Sequence, residues 1–145
     1  MYKKLLIATD GSALAQKGID QGLALAKALQ AKVLVITVSE PWTSTISGEM
    51  AISFPVKDYD EQVTANAKKL LDAVTASAKA SGVACETLHV KDKLPADGIV
   101  ETAKAKGCDL IVMASHGRKG LKRLLLGSET QHVLTHSHIP VLVLR

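Results

Sequence analysis

Short, nearly uninterrupted apolar segments alternate with longer amphipathic ones along the whole chain. The apolar segments cover residues 5–8, 33–36, 110–113 and 141–144, and a fifth, more polar one covers 85–90. Uninterrupted apolar runs of this length are typical of strands that are buried on both faces. We therefore predict a parallel sheet with helices on both faces, in which the polar strand 85–90 lies at an edge.

The segments between these strands have helical periodicity. The first has Ser12 in a position to cap it, and apolar residues follow at spacings of three and four: Ala15, Ile19, Leu23 and Ala26. A second helix is predicted over 58–81, with Gly82 as its stop and one apolar face formed by Val63, Ala67, Leu70, Val74 and Ala78. A third begins near Pro95 and ends by Gly107, and a fourth begins at Ser128. Strands that alternate with helices in this way predict an open, doubly wound α/β fold.

Composition narrows the class of protein further. The chain has 145 residues, enough for one domain over residues 1–145, and its 47% hydrophobic content is almost free of aromatic residues. A net charge of +4 with 3% aromatic residues does not favour nucleic-acid binding. Membrane insertion is not expected, because no apolar run approaches the ~18 residues that span a bilayer. Cys85 and Cys108 lack metal or redox spacing, which is typical of reduced thiols in a cytoplasmic protein.

One stretch, from Pro41 to Val56, has no clear periodicity. A loop of that length in a compact domain is usually a lid, an interaction loop or partly disordered. We expect Trp42 and Phe54 to order it in part against a ligand or a partner chain.

A loop rich in glycine and cations follows the strand 110–113. It contains Gly117, Gly120 and the four cations Arg118, Lys119, Lys122 and Arg123, and a helix opens after Gly127. Glycine lets backbone amides approach a ligand closely, and the first turn of a helix presents unpaired N–H groups with a partial positive charge. The segment therefore predicts a site for an anion, most plausibly a polyphosphate.

Ligands of doubly wound sheets bind beyond the carboxyl ends of the strands, where the strand order reverses. Asp10 follows the first strand and could accept a hydrogen bond from a ribose or hold a cation; the alternative is a cap shared with Ser12. Ser128 also has two interpretations: it forms a capping box with Gln131, or its hydroxyl binds phosphate together with that of Thr130. His116 is expected to contact the ligand and not to act as a general base, because no activated nucleophile accompanies it.

Other signatures are missing from the sequence. There is no G-x-x-x-x-G-K-(S/T) phosphate loop, no G-x-G-x-x-G after the first strand and no G-x-S-x-G nucleophile elbow. His132, His136 and His138 invite a metal interpretation, but Glu129 is the only carboxylate near enough to join them. We expect these histidines to interact with the negative end of the last helix.

Taken over its whole length, the chain resembles the universal stress protein family. Its members that bind ATP carry the pattern G-x2-G-x9-G-(S/T), which here aligns with Gly117, the nine residues 118–126, and Gly127-Ser128. The first glycine of the pattern is Ala114 in this chain, a departure from the family. Asp10 matches the aspartate after the first strand, and Val38, Met113 and Ala8 match positions that line the nucleotide pocket.

The resemblance implies a five-stranded parallel sheet of order 3-2-1-4-5, similar to adenine nucleotide alpha hydrolases. It also implies that ATP, or ADP or AMP, binds with Mg²⁺ held through the phosphates, with Asp10 as the one side chain that could contact the metal. The implied nucleotide-binding residues are Ala8, Thr9, Asp10, Val38, Met113, Ala114, His116, Gly117, Arg118, Gly127, Ser128, Glu129 and Thr130. Adenine would lie near Val38 and Ala8, and the ribose near Asp10. A homodimer through the last strand, Val141–Leu144, is implied as well, and an open apolar edge there would favour it.

The leading hypothesis is thus a cytoplasmic, ATP-binding sensor or regulator of the stress response that is not an enzyme. Two alternatives stay open. One is an enzyme of the same fold that hydrolyses ATP slowly or transfers phosphate, and the other is a nucleotide-free dimeric interaction module.

Overall fold

Five parallel strands form one sheet in a computed structural model that describes residues 1–45, 47–117 and 125–145. The strands are β1 (Lys4–Ala8), β2 (Lys32–Val38), β3 (Cys85–Val90), β4 (Leu110–Ala114) and β5 (Val141–Leu144). Their order is β3-β2-β1-β4-β5, and each neighbouring pair is parallel. The predicted fold class and strand order are confirmed.

Six helices are present in the described residues. They are α1 (Ala13–Leu29), α2 (Trp42–Thr45), α3 (Met50–Ser53), α4 (Val56–Ser81), α5 (Pro95–Ala105) and α6 (Ser128–His136). One apolar cluster packs α1 and α4 on one face of the sheet, with Ile7 and Val35 among the strand residues at its centre. A second cluster packs the opposite face against α5 and α6 through Ile99 and Val133. Helices therefore cover both faces, as the uninterrupted apolar strands require.

The first helix forms as its sequence predicts. The Ser12 hydroxyl accepts a hydrogen bond from the N–H of Ala15 at 3.2 Å, and the predicted apolar face is buried. A Cβ on Gly22 would lie 2.5 Å from Cδ1 of Ile7, so α1 approaches β1 more closely than a larger residue would permit.

The long helix α4 corrects the prediction in its start and in its buried face. It begins at Val56, two residues earlier than predicted, and ends at Ser81, where Gly82 caps it with a φ of +72° that suits glycine. Leu71, and not Leu70, belongs to its buried face. Leu70 and Val63 instead face a cavity at the end of the sheet. The helix therefore has two apolar sides, one toward the core and one toward the cavity.

The stretch from Pro41 to Val56 is not irregular, because α2 and α3 form within it. The indole N–H of Trp42 donates to the carbonyl of Phe54 at 3.0 Å. The Phe54 ring packs edge-on against Tyr59, with ring centres 6.4 Å apart. The Tyr59 hydroxyl donates to the carbonyl of Glu40 at 2.7 Å. Both aromatic residues therefore order the segment through contacts within this chain.

No helix in the described ranges combines the length and the apolar character that crossing a bilayer requires. Among the same residues, β3 and β5 are the edge strands of the sheet. The predicted polar edge strand is confirmed, since β3 is only partly buried along its length.

Candidate functional site

A cavity of about 1680 Å³ opens at the carboxyl ends of the strands. It lies where the strand order reverses, because β1 is followed in the chain by β2 on one side and paired with β4 on the other. All the predicted site residues that the structure describes line it: Ala8, Thr9, Asp10, Val38, Met113, Ala114, His116, Gly117, Gly127, Ser128, Glu129 and Thr130. The remaining one, Arg118, lies outside the described residues, as do Lys119, Gly120, Lys122 and Arg123.

The start of α6 presents main-chain donors to this cavity. The N–H of Gly127 donates to the carbonyl of Ser115 at 2.8 Å, and the N–H of Gln131 makes the first helical bond, to the carbonyl of Gly127 at 3.0 Å. The three amides between them, those of residues 128–130, precede that first helical bond. No side chain among the described residues caps the helix. These N–H groups and the positive end of the helix dipole suit an anion.

Gly127 allows the start of α6 to lie close to the end of β4. A Cβ at this position would lie 3.1 Å from the carbonyl oxygen of Ser115 and 3.5 Å from Cα of His116, so both neighbours would be backbone atoms. A side chain could be accommodated only if the chain at the end of β4 moved relative to α6. The glycine therefore has a steric role in the site.

The structure bears on both interpretations of the hydroxyl groups at this helix. Ser128 does not form a capping box, because Gly127 occupies the cap position and the side-chain amide of Gln131 donates to the carbonyl of Leu126 at 2.8 Å. The Thr130 hydroxyl is buried and donates to the carbonyls of Ala114 and Ser115, both at 3.1 Å. It anchors the start of α6 to the end of β4 and is engaged by these carbonyls, which leaves the main-chain N–H of Thr130 as the donor that could reach an anion.

Asp10 makes the contact with Ser12 that one of the two interpretations predicts, and it also lines the cavity. Its Oδ1 accepts a hydrogen bond from the N–H of Ser12 at 2.9 Å, which stabilises the turn between β1 and α1. Its Oδ2 lies only 2.7 Å from the point where a Cβ on Gly117 would be. The turn after β1 and the loop after β4 therefore meet at this carboxylate, which lines the cavity.

Val38 directs its main chain into the same cavity. The carbonyl of Ile36 accepts from the N–H of Thr9 at 2.9 Å, whereas the N–H of Ser39 donates to Val90 of β3 at 2.8 Å. Successive residues of a strand direct their main-chain groups to opposite neighbours, so those of Val38 face the side of β1. Since β1 pairs only as far as Ala8 and Thr9, the N–H and C=O of Val38 face the crevice beyond it.

His116 is partly exposed at the mouth of the cavity. Its Nδ1 is hydrogen-bonded to the hydroxyl of Ser115 at 2.9 Å. The ring therefore has a fixed orientation, with Nε2 as the nitrogen that could reach a ligand.

Two groups of cavity residues are not among the predicted site residues. The first is Ser39, which follows β2 at the expected crevice, lines the cavity and contacts Nε2 of His89 on β3 through its hydroxyl. Burial lowers the pKa of His89 below its ordinary value of 6.5, and the charge of Lys91 lowers it further. The second group is the cavity side of α4, which includes Tyr59, Val63, Asn66, Leu70 and Ala73. Their spacing of three and four residues indicates a second face of the helix, but Val63 and Leu70 were predicted to belong to its core face.

The histidines of α6 contact each other and α5. Nε2 of His132 lies 3.3 Å from Oδ1 of Asp97 on α5, and its ring stacks on that of His136 with centres 4.1 Å apart. Among the described residues, no group of three histidine, cysteine or acidic side chains could hold a metal ion. Cys85 and Cys108 are free thiols, and burial raises the pKa of both.

The fold and the cavity together define a doubly wound α/β protein in which the first turn of a helix lines the cavity at the topological switch point. The sequence model of the universal stress protein family matches residues 1–145, and the chain belongs to that family. It is 34% identical over 149 residues to universal stress protein YxiE of Bacillus subtilis, with 100% of both chains covered.

Two solved structures are similar along nearly the whole chain. MJ0577 of Methanocaldococcus jannaschii has a TM-score of 0.85 and 28% identity, with 99% of this chain and 96% of that chain covered. A universal stress protein solved in complex with cAMP has a TM-score of 0.71 and 26% identity, with 99% and 97% covered. The predicted family and fold are thereby confirmed.

Proposed function

We propose that residues 1–145 form one domain that binds an adenine nucleotide, with ATP as the principal ligand. The observation that carries this proposal is the start of α6, where residues 128–130 line the cavity and no side chain in the described ranges caps their amides. A phosphate group is the natural partner of such amides. The cAMP complex of a related protein supports an adenine nucleotide as the ligand class.

The base would bind at the end of β2. An adenine edge offers one acceptor nitrogen beside an amino group, and the N–H and C=O of Val38 complement that pair. The side chains of Ala8 and Met113 line the cavity nearby and supply apolar surface for the ring. The base would thus make polar contacts along one edge and apolar contacts through the face of its ring.

The sugar and phosphates would lie between β1 and α6. Asp10 is the carboxylate that could accept a hydrogen bond from a ribose hydroxyl. Gly117 and Gly127 have no side chains, so a phosphate could approach the main chain next to the α6 amides. The carbonyl of Ala114, at the end of β4, accepts a hydrogen bond from the Thr130 hydroxyl. Ala114 carries a methyl group at this strand end, where the family pattern has glycine.

The donor set of the described residues fits Mg²⁺ only as a companion of the phosphates. Asp10 is the carboxylate beside the phosphate path, and no three-ligand cluster accompanies it in the described ranges. Phosphate oxygens and water would supply most ligands of the ion, as is usual for Mg²⁺. Its contribution when bound would be to neutralise phosphate charge.

We propose a regulatory, cytoplasmic role with little or no turnover. His116 engages the hydroxyl of Ser115 through Nδ1, but Ser115 is buried and does not line the cavity, so this hydroxyl is not open to a substrate. Slow ATP hydrolysis or phosphate transfer is the second candidate, and the measurement of turnover separates the two. A rate of about 1–10 per second, ordinary for enzymes, would contradict the regulatory proposal.

A homodimer through β5 is the proposed assembly. The carbonyls of Pro140 and Leu144 accept from β4, so Val141 and Val143 direct their main-chain groups to the open side. Val143→Pro would remove a donor from that open edge only, whereas Leu142→Pro would break the pairing with β4. Light scattering should show a dimer for the native chain and a folded monomer for Val143→Pro; a dimer that survives this change would exclude the β5 interface.

The nucleotide site is tested by calorimetry with ATP and Mg²⁺, together with mass spectrometry of the nucleotide released on denaturation. We expect one ATP per chain. Gly127→Val should weaken binding by roughly tenfold or more, because the side chain must displace backbone at the phosphate amides. Gly18→Ala is the matched control, since Gly18 lies outside the cavity and an added methyl meets no atom within 4 Å. A native chain that neither binds ATP nor releases a nucleotide would favour the interaction module.

A further inference from the structure

The first turn of α5 lies between the two ends of the cavity. Pro95 and Ile99 line it directly. Gly98 packs against the side chain of Val38, and a Cβ there would lie 2.9 Å from both Val38 methyl groups. The main-chain N–H of Ala96 donates to Oε2 of Glu129 on α6 at 2.8 Å. This turn therefore contacts the strand end that would hold the base and the helix start that would hold the phosphates.

We propose that Glu129 is a positioning residue: its carboxylate ties the phosphate-binding start of α6 to α5 and so sets the distance between the two ends of the nucleotide site. The inference rests on the proposed function. In this proposal the Glu129 side chain accepts the hydrogen bond from Ala96, and only the main-chain N–H of Glu129 is left for the nucleotide.

The position of this carboxylate makes the tie necessary. Glu129 is in the first turn of α6, where an acidic side chain can accept hydrogen bonds from the helix's own N–H groups. A carboxylate that did so would occupy the donors that a phosphate needs, and it would repel the phosphate. The N–H of Ala96, at the positive end of the α5 dipole, holds the carboxylate away from them.

A second contact between the same helices supplies a control. Nε2 of His132 and Oδ1 of Asp97 lie 3.3 Å apart, and neither residue lines the cavity. Removing this pair weakens the packing of α5 on α6 without altering the carboxylate beside the phosphate site. Asp97→Asn is therefore the matched variant for a change at Glu129.

The experiment measures ATP and adenosine affinities by calorimetry for the native chain and for Glu129→Gln, Glu129→Ala and Asp97→Asn. Glutamine retains an oxygen that can accept from Ala96 and removes the charge, so ATP should bind as tightly as to the native chain or more tightly. Alanine removes the tie, and ATP should bind roughly 3–10-fold more weakly, as expected for one lost hydrogen bond. Adenosine, which has no phosphate, should bind all four proteins within about twofold.

If the glutamine variant is as weak as the alanine variant, the charge matters and the tie does not. If alanine binds ATP like the native chain, or if Asp97→Asn weakens it equally, Glu129 is not a positioning residue. Thermal unfolding without ligand identifies an alanine variant that is merely unfolded. The glutamine variant then decides: a ratio of ATP to adenosine affinity at or above the native value supports the proposal, and a lower ratio overturns it. If the native chain does not bind ATP, the proposed function itself fails, and the inference fails with it.

Discussion

Replacing Gly117 with alanine tests whether Asp10 binds the ligand. The added Cβ would lie 2.7 Å from Oδ2 of Asp10, and contacts below 3.0 Å essentially never occur. The carboxylate must therefore move by several tenths of an ångström. Gly117 is exposed and is not among the described glycines that have a positive φ, so alanine introduces no backbone strain there.

The expected magnitude follows from the contact that is disturbed. A hydrogen bond to a carboxylate contributes about 1.5–3 kcal/mol, so Asp10→Ala should weaken ATP binding by roughly 10–150-fold. Gly117→Ala displaces the carboxylate without removing it and should cost about 0.5–1.5 kcal/mol, or roughly 2–13-fold in affinity. The melting temperature of Gly117→Ala should stay close to that of the native chain.

A double-mutant cycle by calorimetry separates this mechanism from a general disturbance of the loop. In the Asp10→Ala background, Gly117→Ala should have no further effect on ATP affinity, because the atom with which its methyl collides is absent. Equal losses in both backgrounds would refute the reasoning, and so would native affinity in the single Gly117→Ala variant.

Further predictions concern stability and are all measured by urea unfolding. Gly18→Ala should stabilise the fold by about 0.5–1 kcal/mol, because alanine favours the helix and its methyl meets open space. Gly22→Ala should destabilise it by about 1 kcal/mol or more through its clash with Ile7, and the added change Ile7→Val should recover part of that loss. Thr130→Val should cost about 1–3 kcal/mol, because two carbonyls lose their donor. Because the pKa of His89 is lowered in the folded protein, the unfolded chain binds more protons between that pKa and 6.5. The free energy of unfolding should therefore rise with pH across this window, and His89→Gln should flatten the rise. An unchanged slope in that variant, or the opposite sign for either glycine, would contradict the corresponding argument.

The strands and the long helices could be predicted from local patterns. Buried parallel strands are uninterrupted apolar runs. In α1 the sequence indicates both the cap at Ser12 and the core face, whose residues are three and four apart. The glycines at 117 and 127 marked two positions that line the cavity. These features depend on residues close together in the chain, so a single sequence was sufficient to predict the fold class.

The tertiary structure alone decided how individual side chains are used. Glu129 finds its partner Ala96 at a distance of 33 residues in the chain, and Ser39 contacts His89 at a distance of 50. The Thr130 hydroxyl turns to carbonyls of β4, although its sequence position equally suited a phosphate. Periodicity reports which side of an element is apolar, but a hydrogen-bond partner depends on which elements the sheet order brings together. The sequence thus determined the fold and the location of the crevice, and only packing decided which polar atoms remain for a ligand.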